Sequence, residues 1–244
     1  MRVRHIVVAL MALVVMPRSA AAQAPPDSAS GVATSVLSVV RRDMGQLATK
    51  RTLVILAAGG ALAGACALVE DPAQGTDAAE GGWWDESSDV GNVWGSAATM
   101  GVATGALLLV GHLTKSPDLY LTGSEMARSL VYSGVVVVAL KAATQRTRPD
   151  GGSYSFPSGH SAAAFSVAPV LGARYGVYAA VPAYLLAGVT AFGRVEERKH
   201  FPSDVVFGAA IGLASGIAVT QSDAAALKLS IVVRPEGIGL ATRF

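Results

Sequence analysis

The chain has 244 residues, of which 52% are hydrophobic and 15% charged, and its mean hydropathy is +0.47. A soluble domain carries about a quarter charged residues, so an ordinary water-soluble fold is excluded and long apolar helices in a membrane are expected. Net charge is only +2, and the chain has no basic stripe with interleaved aromatics, which excludes nucleic acid as a partner.

Taken in order, residues 1–24 read as a secretory signal. Arg2, Arg4 and His5 form a basic start, Ile6 to Met16 an apolar stretch, and Ala20, Ala21 and Ala22 a small-residue cleavage site. Without Arg2, Arg4 and Arg18, 16 basic residues face 17 acidic ones. Residues 25–51 form a polar segment ending in Arg41, Arg42, Lys50 and Arg51, part of it suited to an amphipathic helix at a membrane surface. Thr52 to Val69 is the first long apolar run. Its single cysteine, Cys66, has no partner for a disulfide or a metal site and reads as a small buried hydrophobe.

A loop from Glu70 to Gly91 follows, with seven acidic residues, no basic one, and the pair Trp83 and Trp84. Asn92 to Leu113 is the second run, rich in small residues such as Gly95, Gly101 and Gly105 that suit close helix contact. The third helix is expected at about Leu121 to Leu140, with Glu125 and Arg128 placed to pair one turn apart. The fourth spans Ser158 to Ala173 with Pro169 inside it, the fifth Tyr175 to Phe192, and the sixth Asp204 to Thr220. From Leu227 the tail alternates apolar and polar residues around Pro235-Glu236-Gly237, the pattern of a hairpin. The expected fold class is therefore all-α, a bundle of about six mostly apolar helices with a short β-hairpin at the C-terminus. The domain boundaries are 52–222 for the helical domain and 223–244 for the tail.

Three polar stretches interrupt this pattern. In the first, Lys141 and Arg148 are seven positions apart, and Pro149 disfavours helix at Arg148, so the arginine begins a loop. An ammonium and a guanidinium suit a phosphoryl group, although cations at helix ends also serve as interfacial anchors. The second stretch, Pro157-Ser158-Gly159-His160, opens a helix. Ser158 is placed as N-cap, Gly159 lets backbone amides approach an anion, and His160 can donate a proton to a leaving oxygen. The plain alternative is a capped helix with an exposed histidine. The third stretch holds Arg194, His200 and, four positions on, Asp204. A carboxylate there can orient the imidazole and leave its other nitrogen as a nucleophile, or act as a helix N-terminal charge. Arg146, Arg198 and Lys199 are open to a head-group contact or to plain solvation, and solvation is the reading preferred.

The joint pattern Lys-x6-Arg-Pro, Pro-Ser-Gly-His and Arg-x5-His-x3-Asp resembles the signature of the type 2 phosphatidic acid phosphatase superfamily. That superfamily includes lipid phosphate phosphatases, bacterial acid phosphatases and vanadium haloperoxidases. The likeness covers roughly residues 90–220. One departure is Gly193, where the family commonly has serine before the arginine. The resemblance implies a phosphatase domain that works through a phosphohistidine. His200 would be the nucleophile, Asp204 its orienting carboxylate and His160 the acid and later the base. Lys141, Arg148, Ser158, Gly159 and Arg194 would hold the phosphate oxygens. It implies no metal and no cofactor.

The function expected is hydrolysis of a phosphomonoester or diphosphate, with a membrane lipid such as phosphatidate or an isoprenyl diphosphate as partner. The alternatives are a periplasmic acid phosphatase on soluble phosphomonoesters, and a non-catalytic membrane protein of the same fold. The location expected is the bacterial envelope, as a multi-pass inner-membrane protein. Basic residues in the loops opposite the site place the site on the periplasmic side, whereas a cleaved signal followed by six spans would place it inside.

Overall fold

The computed structural model describes residues 29–70, 83–228, 230–234 and 237–241; the expected signal segment lies outside them. Eight helices and one hairpin occur among the described residues. Helix α1 is Ala29–Leu47, α2 Lys50–Val69, α3 Trp83–Gly95, α4 Ala97–Leu113, α5 Pro117–Thr144, α6 Gly159–Tyr175, α7 Val177–Glu196 and α8 Pro202–Lys228. Strands β1 (Ser230–Arg234) and β2 (Gly237–Ala241) pair antiparallel, with Ile231 opposite Leu240 and Val233 opposite Ile238. The helical class and the tail hairpin agree with the sequence reading.

The two extra helices have local causes. Part of the polar N-terminal segment coils into α1. The second apolar run breaks at Ser96, which caps α4 by accepting from the Thr99 amide at 3.0 Å, and the axes bend by 53° there. The loop expected to reach Gly91 ends earlier, because α3 already begins at Trp83.

Helices α2, α5, α7 and the first part of α8 are long and apolar enough to cross a membrane, and the bent pair α3–α4 makes up to five spans. Leu53, Leu62 and Leu68 of α2, Val131, Val135 and Val138 of α5, and Tyr178 and Leu185 of α7 all point outward. So much exposed apolar surface fits lipid and not water. Cys66 is half-buried on α2, not buried as expected.

Helix α6 is the centre of the bundle and packs on α8, α7 and α5. Gly208, Gly212 and Gly216 line the face of α8 that meets it. A Cβ at those positions would fall 2.5 Å from Ser158 O, 2.3 Å from Ala162 O and 2.3 Å from Ser166 O. The stripe therefore lets the two backbones touch, as small residues do between membrane helices. In the second run Gly95 is used this way against Thr190 and His160, and Gly111 against the backbone of Tyr120; Gly101 and Gly105 face open space. Trp94, Met100, Met126, Val167 and Val170 form the main core.

Glu125 and Arg128 do not pair with each other. Glu125 binds Arg174 at the end of α6 in a two-pronged contact. Arg128 reaches Asp43 of α1 at 2.8 Å and also contacts Asp223 of α8, while Tyr132 donates to Asp43 at 2.8 Å. The geometric reason is direction: both side chains turn inward toward neighbouring helices, where buried charges need partners with full hydrogen bonding. These pairs fasten α1 to the bundle at the end remote from Lys141.

Candidate active site

The ends of α5 and α7 and the starts of α6 and α8 meet at one end of the bundle. Helix α5 stops at Thr144 because Gln145 takes a left-handed conformation, φ 46°, so Lys141 stays in the last helical turn and Arg148 stands in the loop, as Pro149 requires. That loop folds on itself through Ser155 N to Arg146 O at 2.7 Å and Arg148 N to Gly152 O at 2.7 Å. Lys141 Nζ donates to the carbonyl oxygens of Tyr154 and Ser155, which aims it along the loop. Ser158 caps α6 through the Ser161 amide at 3.4 Å and is fully buried; its own N–H donates to Asp204 O at 2.9 Å, tying the start of α6 to that of α8. Gly159 opens α6, with Val137 of α5 as its near neighbour.

His200 lies just before α8, which begins at Pro202, two residues ahead of the expected start at Asp204. Its side chain is 3% exposed, and Nδ1 stands 3.5 Å from Asp204 Oδ2, at the outer limit of a hydrogen bond and outside good geometry. The carboxylate is held more firmly by others. Oδ2 accepts from Ser155 Oγ and from Phe201 N at 2.9 Å, and Oδ1 from Arg146 at 2.8 Å. Asp204 is thus both an N-terminal helix carboxylate and the neighbour of the imidazole, so the two readings of the third stretch coexist.

Arg194, in the last turn of α7, is gripped at one nitrogen. Its Nη1 contacts Asn92 Oδ1 of α3 and Glu197 Oε2, the latter at 2.8 Å, and Asn92 also donates to Glu197. Arg194 Nε, Arg148 Nε and His200 Nδ1 are buried without hydrogen-bond partners. Unpaired buried donors are costly, and Arg148 and Arg194 each keep one in this region.

His160 stands in the first turn of α6, with Gly95 packed against it. Burial, and then the charges of Arg194, His200, Arg148 and Lys141, push its pKa down from 6.5 to about 4. The charges of all three cations thus reach His160, and those of Lys141 and Arg148 reach His200 as well. His200 is also pushed below its ordinary range, first by burial; Asp204 opposes this, while Lys141 and Arg148 add to it. Both imidazoles are therefore neutral in the unliganded site at neutral pH.

The structure brings together every residue named from the sequence. It also corrects one reading and adds residues. Arg146 is not solvated: it pairs with Glu70 and Asp204 and lies 4.1 Å over the Phe201 ring. Lys199 pairs with Asp150 at 2.8 Å across the two loops, and Arg198 alone remains exposed. Ser155, Asn92, Glu197 and Glu70 belong to no motif. Glu70 alone left a trace, as the first charge after an apolar run.

Two imidazoles, a carboxylate and three cations thus gather at the ends of apolar helices, a set of groups suited to phosphoryl transfer. Residues 123–227 match the model of the PAP2 superfamily. A lipid A 1-phosphatase of Porphyromonas gingivalis is 37% identical over 94 residues, 37% of this chain and 21% of that protein, so the match spans about a fifth of the relative's length. Among solved structures, LpxE of Aquifex aeolicus is 24% identical over 57% of this chain and 84% of its own, with TM-score 0.47. A transmembrane PAP2 type phosphatidylglycerolphosphate phosphatase from Bacillus subtilis is 20% identical over 79% and 96%, with TM-score 0.48.

Proposed function

We propose that this chain is a membrane phosphatase that removes phosphate from a phosphorylated lipid through a phosphohistidine on His200. The observation that carries the reading is the convergence of His200, His160, Lys141, Arg148 and Arg194 at one end of the bundle, with donors of both arginines left unpaired. The PAP2 match and the likeness to a lipid A 1-phosphatase support the same reaction class.

Nδ1 of His200 faces Asp204, which leaves Nε2 to attack phosphorus. As the N–P bond forms, the bond to the lipid oxygen breaks, and His160 gives that oxygen its proton. The equatorial oxygens gain charge in the transition state and are met by the three cations and the amides at the start of α6. Neutral His160 then takes a proton from water, the hydroxide attacks phosphorus, and the P–N bond breaks to give inorganic phosphate. The substrate's own charge supplies what the unliganded site lacks: a phosphate dianion among the cations favours the protonated His160 needed for the first step.

A lipid substrate is favoured over a soluble one by the surroundings. An apolar cavity of about 330 Å³ runs between α3, α4, α5, α6 and α7, from Trp94 through Met126, Val167 and Leu171 to Thr122 and Tyr175 toward the end opposite Lys141. Trp94 adjoins Gly95, which packs on His160. We also place the site on the periplasmic face, because Arg41, Arg42, Lys50, Arg51, Lys115 and Arg174 fall at the other end. The test is phosphate release by purified protein in lipid nanodiscs from phosphatidate, an isoprenyl diphosphate and a lipid A 1-phosphate, with His200→Ala as control. Release from p-nitrophenyl phosphate alone would favour the soluble-substrate enzyme instead.

A further inference from the structure

One cation of the site does not face the open space. Arg146 has both terminal nitrogens committed: Nη1 donates to Asp204 Oδ1 at 2.8 Å and Ser203 Oγ at 2.7 Å, and Nη2 to Glu70 Oε2 at 2.9 Å. Phe201 covers its plane at 4.1 Å. Glu70 ends α2 and also accepts from the Ser203 amide and hydroxyl at the start of α8. A single guanidinium thus bridges two carboxylates from opposite ends of the sequence, directly behind the His200–Asp204 pair. Its terminal nitrogens are spent on the protein's own oxygens, whereas Arg148 and Arg194 each keep a buried Nε unpaired.

From this geometry we infer that Arg146, braced by Glu70, is a positioning residue that sets both the orientation and the basicity of His200 by way of Asp204. Asp204 takes hydrogen bonds from Ser155 Oγ, Phe201 N and Arg146. The first two are neutral and hold the carboxylate in place. Arg146 is the charged donor, so it governs how much negative charge the imidazole feels. Glu70, on its other edge, weakens that pull. The other charged or titratable groups near His200 are Lys141 of α5, Arg148 of the loop and His160 of α6, with Arg194 of α7 beside His160; none of these touches the Asp204 carboxylate among the described contacts.

The signs follow. Without Arg146, Asp204 acts at full strength and the imidazole holds its proton to higher pH. Without the charge on Glu70, Arg146 draws more on Asp204 and the imidazole loses its proton at lower pH. A role confined to holding the fold would move both variants together.

The experiment is ¹⁵N-histidine NMR of the full chain in nanodiscs, practicable because there are only four histidines, with His200 assigned by His200→Gln. Arg146→Ala is expected to raise the His200 midpoint by about one unit, and Glu70→Gln to lower it by about half a unit. Arg146→Lys keeps the charge but not the fork; it is expected to leave the midpoint in place while turnover falls ~10-fold at unchanged KM. Unmoved midpoints in Arg146→Ala and Glu70→Gln, or displacement in the same direction, would overturn the inference. The turnover arm rests on the phosphohistidine reading. If the wild type releases no phosphate, that reading fails, while the NMR midpoints still decide the role of Arg146.

Discussion

A Cβ on Gly212 would lie 2.3 Å from the carbonyl oxygen of Ala162. Helices α6 and α8 therefore meet backbone to backbone two positions beyond His160, and this contact sets how far His160 stands from His200. Gly212→Ala cannot be relieved by a rotamer change, since the atom struck belongs to the main chain. It is expected to destabilise the bundle by about 1–3 kcal/mol and to lower kcat at least ~10-fold by moving the histidines apart. Gly101→Ala, with nothing near its Cβ, is the control and keeps both values. Thermal unfolding and turnover of the two variants check this, and equal behaviour would contradict it.

Arg194 offers a second handle. Asn92 and Glu197 occupy its Nη1 and leave the buried Nε unpaired, so the Nε edge of the guanidinium keeps an unspent donor. Arg194→Lys keeps the charge and loses that edge; kcat/KM should drop ~10²-fold. Asn92→Ala should lose ~10-fold, because it loosens the grip without removing the donor. Steady-state kinetics on a short-chain lipid phosphate distinguish the two, and an Asn92→Ala enzyme as fast as the wild type would show that the grip is idle.

Much of this was legible beforehand because the motif residues are fixed by local chemistry. Pro149 keeps Arg148 out of helix, Ser158 caps α6, and the spacing from His200 to Asp204 spans one turn at the start of α8. What escaped has no local signal. Asn92 and Arg194 are 102 positions apart and Glu70 and Ser203 are 133 apart, so only the packed bundle brings them together. Arg146 read as solvated because its partners come from α2 and α8. The break at Ser96 was hidden by unbroken apolarity on both sides. The glycine spacing of α8 was readable, but the same small-residue argument was applied to α4, where two of the three glycines face open space.

The two site histidines also make stability depend on pH. Both have pKa values pushed below the unfolded value, His160 from 6.5 to about 4. The unfolded chain thus binds protons first as pH falls, and stability declines from about pH 6.5 downward toward pH 4. Melting temperature in detergent should fall across that window. Inorganic phosphate should oppose the fall by favouring the charged imidazole, and His160→Gln should flatten the curve. A melting temperature constant from pH 7 to 4.5 would contradict these shifts.

The buried charges at the far end should act on folding alone. Arg128 and Lys141 are 13 positions apart on one helix, about 20 Å. Asp43→Ala strips Arg128 and Tyr132 of a common acceptor and should cost about 3 kcal/mol, the scale of a broken buried pair. The folded fraction should keep its kcat. Turnover corrected for folded protein, measured beside denaturant unfolding, separates the effects.

The central claim is that His200 carries the phosphoryl group. The most direct test is rapid quench of the enzyme with a ³²P-labelled lipid phosphate, followed by peptide mapping. The account predicts an acid-labile, base-stable label on the peptide that contains His200, absent from His200→Ala, whose turnover falls by several orders of magnitude. A label on any other residue, or full turnover in His200→Ala, would contradict it.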